Sequence, residues 1–276
     1  MLASTFGKAA GSYCNVETGA TTVSLYLETR TAWSRDTQKQ LAAGLKRTKA
    51  CGLDIGPGTI SMRRVRREDW AESWKRHFKP LQIGAALLIR PGWSHRKARK
   101  GQKVLVLDPG LSFGTGQHPT TAFCLEELVS RRKPGQKQSM LDLGTGSGIL
   151  AIAAARLGYA PVHALEFDPV ALRIARENAR RNSVAKKLTF AQQDVSKLAP
   201  ASSFKYSLIC ANLVSSLLLS EQRKLVARLA PGGVLVLAGI LKQEFRSVEQ
   251  AYREVGLRMV KSWAQGEWRS GSFTWR

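Results

Sequence analysis

The chain has 276 residues, of which 43% are apolar, so it can bury a full core and hold one large domain or one domain with a small appendage. This composition argues against collagen-like, disordered and disulfide-scaffold proteins. The formal net charge of +23 at pH 7 is extreme, and so positive a surface attracts polyanions, of which nucleic acid is the commonest. A basic surface that only faces solvent is the simpler alternative.

The four cysteines, Cys14, Cys51, Cys124 and Cys210, are far apart and form no C-x-x-C pair, so the sequence predicts neither a zinc site nor a disulfide framework. Buried thiols in a reducing compartment are expected. No run approaches the roughly 18 apolar residues of a membrane span, and the N-terminus lacks the basic and apolar regions of a signal peptide. We therefore expect a cytoplasmic protein without a membrane partner or a metal.

The first 62 residues predict a small α+β segment. Residues 23–28 alternate like a short strand, residues 34–50 are rich in helix formers, and residues 59–66 form another β-like run. The Gly-Pro-Gly at 56–58 predicts a turn. No residue of this segment suggests a particular chemistry.

Residues 63–103 form a basic linker region in which aromatic side chains stand among the cations. An amphipathic helix at 68–78 is expected, with Trp70 and Trp74 facing the neighbouring domain. The alternative is that these aromatic rings stack on unpaired RNA bases. The cationic run at 94–103 predicts an exposed loop that can contact a polyanion.

Strands and helices alternate over 104–276, the third predicted segment. Strands are predicted at 104–108, 139–143, 162–167, 187–191, 206–211, 233–239, 257–263 and 271–276, and helices at 119–130, 147–157, 168–182, 214–229 and 242–255. This alternation predicts an α/β fold, with a Rossmann-like, doubly wound and mostly parallel sheet. No helix separates the last two strands, so they should close the sheet as an antiparallel hairpin.

A glycine-rich turn, Gly144-Thr-Gly-Ser-Gly148, joins the predicted strand at 139–143 to the following helix. Glycines let a ligand approach the backbone, and the helix N-terminus offers unpaired N–H groups, so the turn predicts a nucleotide-like cofactor. Glu166 stands at the end of the next strand, where an acid accepts hydrogen bonds from ribose hydroxyls. The G-x-G-x-G spacing, unlike the G-x-G-x-x-G of dinucleotide enzymes, favours S-adenosylmethionine bound at Gly144, Gly146 and Glu166.

Two further acids follow strands on this side of the fold. Asp194 is placed where a carboxylate can meet the adenine amino group, although an exposed loop carboxylate is an equal alternative. Asp168 precedes Pro169 and predicts a helix N-cap.

The segment from Leu107 to Thr121, with its Phe-Gly-Thr-Gly-Gln-His-Pro-Thr-Thr run, is dense in turn-forming residues that can fold over a ligand. Together with the sequences at 68–80, 142–148 and 211–217, it resembles the ribosomal protein L11 methyltransferase family over about residues 63–276. The resemblance implies a class I methyltransferase fold and cofactor contacts from Thr121, Gly144, Glu166 and Asn212. The family usually has aspartate where Glu166 stands and a ferredoxin-like N-terminal domain. Here the first 62 residues are long enough for about one βαβ half of it.

Asn212 follows the predicted strand at 206–211, at the carboxyl edge of the sheet, and is the candidate catalytic residue. The local sequence Ala-Asn-Leu-Val lacks the Asn-Pro-Pro-Tyr pattern that stacks a planar amide or base, so a lysine or α-amino group is the expected acceptor. An N-cap for the helix at 214–229 is the structural alternative for Asn212. His118 is a candidate proton acceptor, with a loop histidine that makes structural hydrogen bonds as an equal alternative, so the sequence assigns no general base.

The expected activity is methylation of amino groups on a protein, ribosomal protein L11 by the resemblance, with rRNA contact through the basic surface. The alternatives are an RNA methyltransferase and a non-catalytic protein that binds RNA or the ribosome.

Overall fold

A computed structural model of the chain describes residues 5–7, 10–14, 21–27, 33–52, 55–63, 78–108 and 116–276. The chain divides into two compact units, Met1–Asp69 and Trp70–Arg276. The helix expected at 68–78 and its two tryptophans lie outside the described residues, apart from Phe78. The division into segments at residues 62 and 103 stays a prediction.

The first unit contains a hairpin and a helix. Strands β1 (Gly11–Cys14) and β2 (Thr21–Ser24) pair antiparallel, and helix α1 spans Arg35–Ala50. Ser34 caps the helix by accepting a hydrogen bond from the Thr37 N–H at 3.1 Å, which satisfies one of the unpaired donors of the first turn. The strand and the helix predicted near these positions are therefore present.

Two expectations for the first unit were wrong. Residues 59–63 form no strand, and Ile60 and Met62 are exposed, because an alternating run forms a strand only where a neighbouring strand supplies hydrogen bonds. Residues 64–66 of that predicted run lie outside the described part. Cys51 is exposed at the C-terminus of α1, whereas Cys124 and Cys210 are buried as expected.

The second unit begins its described part with a small sheet. Strands β3 (Leu81–Ile83), β4 (Leu87–Arg90) and β5 (Lys103–Val106) lie in that order, with β3 antiparallel and β5 parallel to β4. The sequence predicts β5 but not β3 or β4, which fall in the region interpreted as a basic linker. The cationic loop at 94–103 is exposed, as expected, over its arginines and lysines.

The central sheet has seven strands, and its order explains where a ligand can bind. The strands are β6 (Met140–Leu143), β7 (Val162–Glu166), β8 (Leu188–Gln192), β9 (Tyr206–Asn212), β10 (Leu229–Leu241), β11 (Leu257–Gln265) and β12 (Trp268–Trp275). Their order is β11-β12-β10-β9-β6-β7-β8, with β6 to β10 parallel and β12 antiparallel to its two neighbours. The predicted parallel sheet and closing hairpin are confirmed. From β6 the chain adds β7 and β8 on one side of the sheet and then crosses to add β9 and β10 on the other side. The boundary between β6 and β9 is therefore a switch point, and ligands bind at the carboxyl ends of strands at such a point.

Helices cover both faces of this sheet. They are α2 (Pro119–Arg131), α3 (Ile149–Leu157), α4 (Pro169–Arg181), α5 (Ser215–Ser220), α6 (Gln222–Val226) and α7 (Phe245–Glu254). One core packs α2 and α3 against Met140, Leu208 and Cys210, and the other packs α6 and α7 against Leu141 and Ile209. Successive strand residues enter opposite cores because side chains alternate along a strand.

Candidate active site

One cavity opens where β6, β7 and β9 end. Its volume is about 340 Å³, within the range of small-molecule sites. Every residue predicted to contact the cofactor lines it, although the predicted positions come from five separate parts of the chain. The lining residues are Thr121, Gly144, Thr145, Gly146, Ile149, Leu150, Glu166, Phe167, Gln193, Asp194, Val195, Asn212, Leu213, Val214 and Leu217.

The glycine-rich turn forms the floor beside β6. The N–H groups of Gly144 and Thr145 donate to the Leu165 carbonyl at 2.9 and 3.0 Å, which binds the turn to β7. Gly144 has φ +70°, and a Cβ atom there would lie 2.5 Å from Cδ2 of Leu213. The position therefore needs glycine for its backbone conformation and for the close approach of Leu213.

Asp142 supports the turn from beneath and does not line the cavity. Its Oδ2 accepts hydrogen bonds from Thr145 Oγ1 at 2.5 Å and from the Ala151 N–H at 3.2 Å, so it joins the turn to the start of α3. Complete burial, together with the nearby charge of Glu166, raises the pKa of the Asp142 carboxyl to about 7.

Glu166 ends β7 at the rim of the cavity and is held by backbone donors. Its Oε2 accepts from the Gly146 N–H at 2.9 Å, and its Oε1 accepts from the N–H groups of Phe167 and Asp168 at 3.0 and 3.1 Å. A carboxylate has room for about four hydrogen bonds, so Oε2 retains acceptor capacity. Glu166 is 7% exposed, and that small exposure is at the cavity it lines.

Asn212 and Thr121 come from different elements and lie next to each other at the cavity. Asn212 ends β9, Thr121 lies in the first turn of α2, and the Asn212 amide nitrogen is 3.5 Å from Thr121 Oγ1. Gly239 on β10 leaves room for this corner, because a Cβ there would lie 3.1 Å from Asn212 Oδ1 and 2.6 Å from the Leu213 carbonyl oxygen.

The alternative of Asn212 as a helix N-cap is wrong. Helix α5 begins only at Ser215, with Val214 at the N-cap position, and the predicted helix at 214–229 is divided into α5 and α6. The side chain of Asn212 therefore lies at the cavity and not at a helix end.

The other two acids cap helices. Asp168 caps α4 by accepting from the Val170 N–H at 2.8 Å, as predicted. Asp194 caps the short 3₁₀ turn Val195–Lys197, and hydrogen bonds from the Ser196 hydroxyl and N–H lower the pKa of its carboxyl. Asp194 thus lines the cavity and serves locally as a cap.

His118 immediately precedes α2. Its Nδ1 lies 2.8 Å from Thr120 Oγ1, and its ring meets Trp268 edge-on with centroids 5.0 Å apart. Partial burial lowers the pKa of the imidazole, although the charge of Glu267 opposes that shift. The imidazole is therefore mainly neutral at pH 7, the form that can accept a proton.

Apolar residues of the rim were missed by the sequence analysis. Phe167 is 71% exposed and Val214 is 63% exposed, and both line the cavity. The sequence analysis assigned Phe167 to the end of a strand and Val214 to the start of a helix, whereas both lie in connections just after a strand. Phe167 directly follows Glu166 and Val214 is close to Asn212, and this closeness to predicted site residues was the available sign that they line the cavity.

Residues 109–115 of the turn-rich segment lie outside the described part, so its predicted fold over a ligand stays untested. Across the residues that are described, no group of three or more histidine, cysteine, aspartate or glutamate side chains could hold a metal ion. Within the same residues, no helix is both long enough and apolar enough to cross a membrane.

Comparison with known proteins finds one consistent family. The family model for ribosomal protein L11 methyltransferase (PrmA) matches residues 10–274. The ribosomal protein L11 methyltransferase of Trichlorobacter lovleyi is 44% identical over 221 residues, covering 79% of this chain and 70% of the relative. That of Geobacter metallireducens is 40% identical over 215 residues, covering 78% and 69% respectively.

A solved structure is also similar over most of the chain. The ribosomal protein L11 methylase from Lactobacillus delbrueckii subsp. bulgaricus superposes with a TM-score of 0.63 at 26% identity. The match covers 72% of this chain and 98% of that one.

Proposed function

The chain belongs to the ribosomal protein L11 methyltransferase family, and on that premise we propose that it transfers methyl groups from S-adenosylmethionine to amino groups of ribosomal protein L11. The proposed acceptors are lysine side chains, the N-terminal α-amine, or both. The main support for the proposal is that the glycine-rich turn, Glu166 and Asn212 line one cavity. This cavity lies at the switch point of the sheet, where α/β folds bind ligands.

The cavity fits the proposed cofactor in size and in chemistry. A volume of about 340 Å³ suits a nucleoside with an amino-acid tail, and the glycine positions keep side chains out of the floor. Gly144 and Gly146 would pass beneath the cofactor, and Thr121 and Asn212 would contact its methyl-bearing end. The cofactor supplies a methyl group on a positively charged sulfur, which an uncharged amine can displace directly.

Two carboxylates would fix the nucleoside. The remaining acceptor capacity of Glu166 Oε2 suits a ribose hydroxyl, while its other bonds hold the carboxylate in place. Asp194 Oδ1 is engaged by Ser196, which leaves Oδ2 to accept from the adenine amino group. Phe167 and Val214 offer the apolar surface that a purine ring needs.

Asn212 is the proposed catalytic residue because its side-chain oxygen can accept a hydrogen bond from the incoming amine. Holding the amine nitrogen in line with the methyl group supplies the orientation on which such a displacement depends. The lining of the cavity is largely apolar, which favours the uncharged amine over the ammonium ion. His118, whose pKa is lowered, is a candidate to accept the proton, although it does not line the cavity.

The proposed partner is a ribosomal protein, which places the reaction in the cytoplasm and near RNA. The +23 charge supports a contact with rRNA during substrate capture. An RNA methyltransferase is less well supported, because the Ala-Asn-Leu-Val sequence at 211–214 offers no aromatic ring against which a base could stack.

The test uses purified ribosomal protein L11 with S-adenosylmethionine and the full chain, followed by peptide mass spectrometry. Methyl groups on lysine or on the N-terminal amine are expected. Cofactor binding without methylation of L11 would contradict the assigned substrate, and the absence of cofactor binding in calorimetry would contradict the enzyme assignment altogether.

A further inference from the structure

Exposed cations gather, away from the cavity, where the loop between β4 and β5 meets the end of α4. We propose that this basic patch is a docking surface for the phosphate backbone of RNA. The choice of RNA among polyanions rests on the proposed function, since the substrate is a ribosomal protein. The basic patch consists of Arg96, Lys97, Arg99, Lys100, Lys103, Arg180, Lys186 and Lys187, all of which are exposed.

Hydrogen bonds join the two halves of the basic patch into one surface. The Asn182 side chain, just after α4, pairs reciprocally with Val106 on β5, accepting from its N–H at 2.8 Å and donating to its carbonyl at 2.7 Å. Asp108 accepts from the Gly92 N–H at the start of the loop and from the Arg181 guanidinium at the end of α4. The loop and the helix end therefore cannot separate without breaking these bonds.

Within the part of the chain that the structure describes, the cations of the basic patch carry no acidic partner of their own. No ion pair among the described residues includes any of the eight, and the adjacent carboxylate, Asp108, is taken by Arg181. Arg96 donates to the neutral side chain of Gln82 at 3.0 Å. Like charges at this density repel one another, so the surface favours a partner that brings regularly spaced negative charge.

The chemistry of the basic patch suits phosphates better than bases or an acidic protein. Its members are all lysine or arginine, and the aromatic residue in the loop, Trp93, is half-buried and has contacts of its own. Base recognition in single-stranded RNA needs exposed rings for stacking, and stable protein interfaces need apolar anchors. A surface of cations alone is typical of contacts to the phosphate backbone.

The basic patch is also fixed relative to the candidate active site. Asn178 on α4 donates to the Ser147 carbonyl of the glycine-rich turn at 2.8 Å, and Ala175 packs beneath Gly148. RNA held on this surface would therefore keep a constant position relative to the cavity, which favours a substrate presented together with its RNA.

The test measures binding of a fluorescent RNA duplex of about 20 base pairs by anisotropy, at several salt concentrations. The variant Lys97→Gln, Arg99→Gln, Lys100→Gln removes three exposed charges from the basic patch. The matched control Lys242→Gln, Arg246→Gln, Arg258→Gln removes three exposed charges at the opposite edge of the sheet. Both variants lose the same net charge, so a general attraction would weaken equally in both.

Between about 50 and about 200 mM salt, the affinity of the unmodified chain should fall about 40-fold further than that of the patch variant, because three counterion-releasing contacts are lost. The control should keep the unmodified slope. Equal slopes for the two variants, or displacement of the RNA by poly-glutamate at equal charge concentration, would overturn the proposal.

Methylation of isolated ribosomal protein L11, measured without RNA, separates this inference from the proposed function. The patch variant should methylate L11 at the unmodified rate while binding RNA more weakly. Absence of L11 methylation in every protein, together with selective loss of RNA binding in the patch variant, would refute the proposed substrate and leave the docking surface standing.

Discussion

At Gly144, backbone conformation and packing both require the absence of a side chain. Its φ of +70° is unfavourable for other residues, and the nearest neighbour of an added Cβ would be Leu213 at 2.5 Å. Leu213 lines the cavity, so a side chain at this position would displace the wall as well as enter the floor.

We predict that Gly144→Val weakens S-adenosylmethionine binding by about a hundredfold or more, as measured by calorimetry. Gly135→Val is the matched control, since Gly135 has φ +80° and nothing within 4 Å of an added Cβ. Both variants should lose about 1–2 kcal/mol of unfolding free energy from backbone strain, and Gly144→Val should lose more because its Cβ would lie 2.5 Å from Leu213. Unchanged cofactor affinity in Gly144→Val would show that the turn does not lie against the cofactor.

Asn212 is predicted to act more on the reaction than on cofactor binding. Asn212→Ala should lower kcat for methylation of L11 by about a hundredfold, because the amine loses an acceptor that orients it. The dissociation constant of S-adenosylmethionine should change by less than about tenfold. If cofactor affinity falls as far as kcat does, Asn212 holds the cofactor and does not orient the amine.

Residue identity revealed the polar part of the site better than the apolar part. Gly144 and Glu166 are readable from sequence because each stands at a defined place after a strand, where backbone geometry limits what can occur. Leu213 and Phe167 are ordinary apolar residues in connections. Their role as cavity walls depends on how β7 and β9 are arranged in the sheet, which no local pattern encodes.

At the scale of the elements, the buried carboxylate of Glu127 bonds α2 to the closing hairpin. Glu127 on α2 is completely buried and accepts hydrogen bonds from Ser272 on β12 at 2.7 Å and from Lys261 on β11 at 2.9 Å. It also pairs with Arg131 at 3.1 Å. Since α2 carries Thr121, this cluster positions one wall of the cavity.

Glu127→Gln should lower the free energy of unfolding by about 1–2 kcal/mol, measured by urea denaturation, because charge-assisted hydrogen bonds become neutral ones. Glu126→Gln on the same helix is the control, since Glu126 is exposed, and it should change stability by less than about 0.5 kcal/mol. Equal effects in the two variants would mean that the buried cluster adds nothing specific.

The same cluster predicts a pH dependence. Burial acts to raise the pKa of Glu127, but hydrogen bonds from Ser272 and Lys261 and the charge of Arg131 hold the pKa below its usual value. A lowered pKa in the folded state adds stability above the unfolded pKa of about 4.3, and that stability is lost as pH falls through the folded pKa. The stability gap between the unmodified chain and Glu127→Gln should therefore shrink below about pH 4. A gap that stays constant to low pH would contradict this origin.

Periodicity predicted most elements of the central sheet. Strands β6, β7 and β8 are joined by α3 and α4, helices of 9 and 13 residues, and this alternation leaves a clear apolar pattern. Strands β3 and β4 have three and four residues among many cations, and their pairing with β5 is a tertiary event. The apolar run at 214–229 reads as one helix, and only the structure shows the break at Glu221 between α5 and α6.

At the scale of the whole molecule, the division into two units assigns the cavity to the second unit alone. Every residue that lines the cavity belongs to Trp70–Arg276, which also contains both large cores. The alternation of strands and helices made the fold of this unit predictable. The described part of the first unit has two strands of four residues and one helix of 16 residues, and the sequence pattern predicted no complete fold for it.

Removal of residues 1–62 is predicted to leave S-adenosylmethionine affinity within about threefold of the full chain and to raise KM for L11 by about tenfold or more. Calorimetry and initial rates measure the two effects separately. The prediction assigns substrate capture to the first unit. Unchanged turnover of L11 by the shortened chain would show that this unit is not a recognition module.

We propose above that this chain methylates an amine of ribosomal protein L11, and one experiment tests this activity on its natural substrate. The most direct measurement supplies labelled S-adenosylmethionine and the purified chain to ribosomes, or their dissociated proteins, from a strain that lacks the enzyme. We expect label on the L11 band alone, with none in rRNA and none in the Gly144→Val reaction. Label in rRNA, or on proteins other than L11, would contradict it.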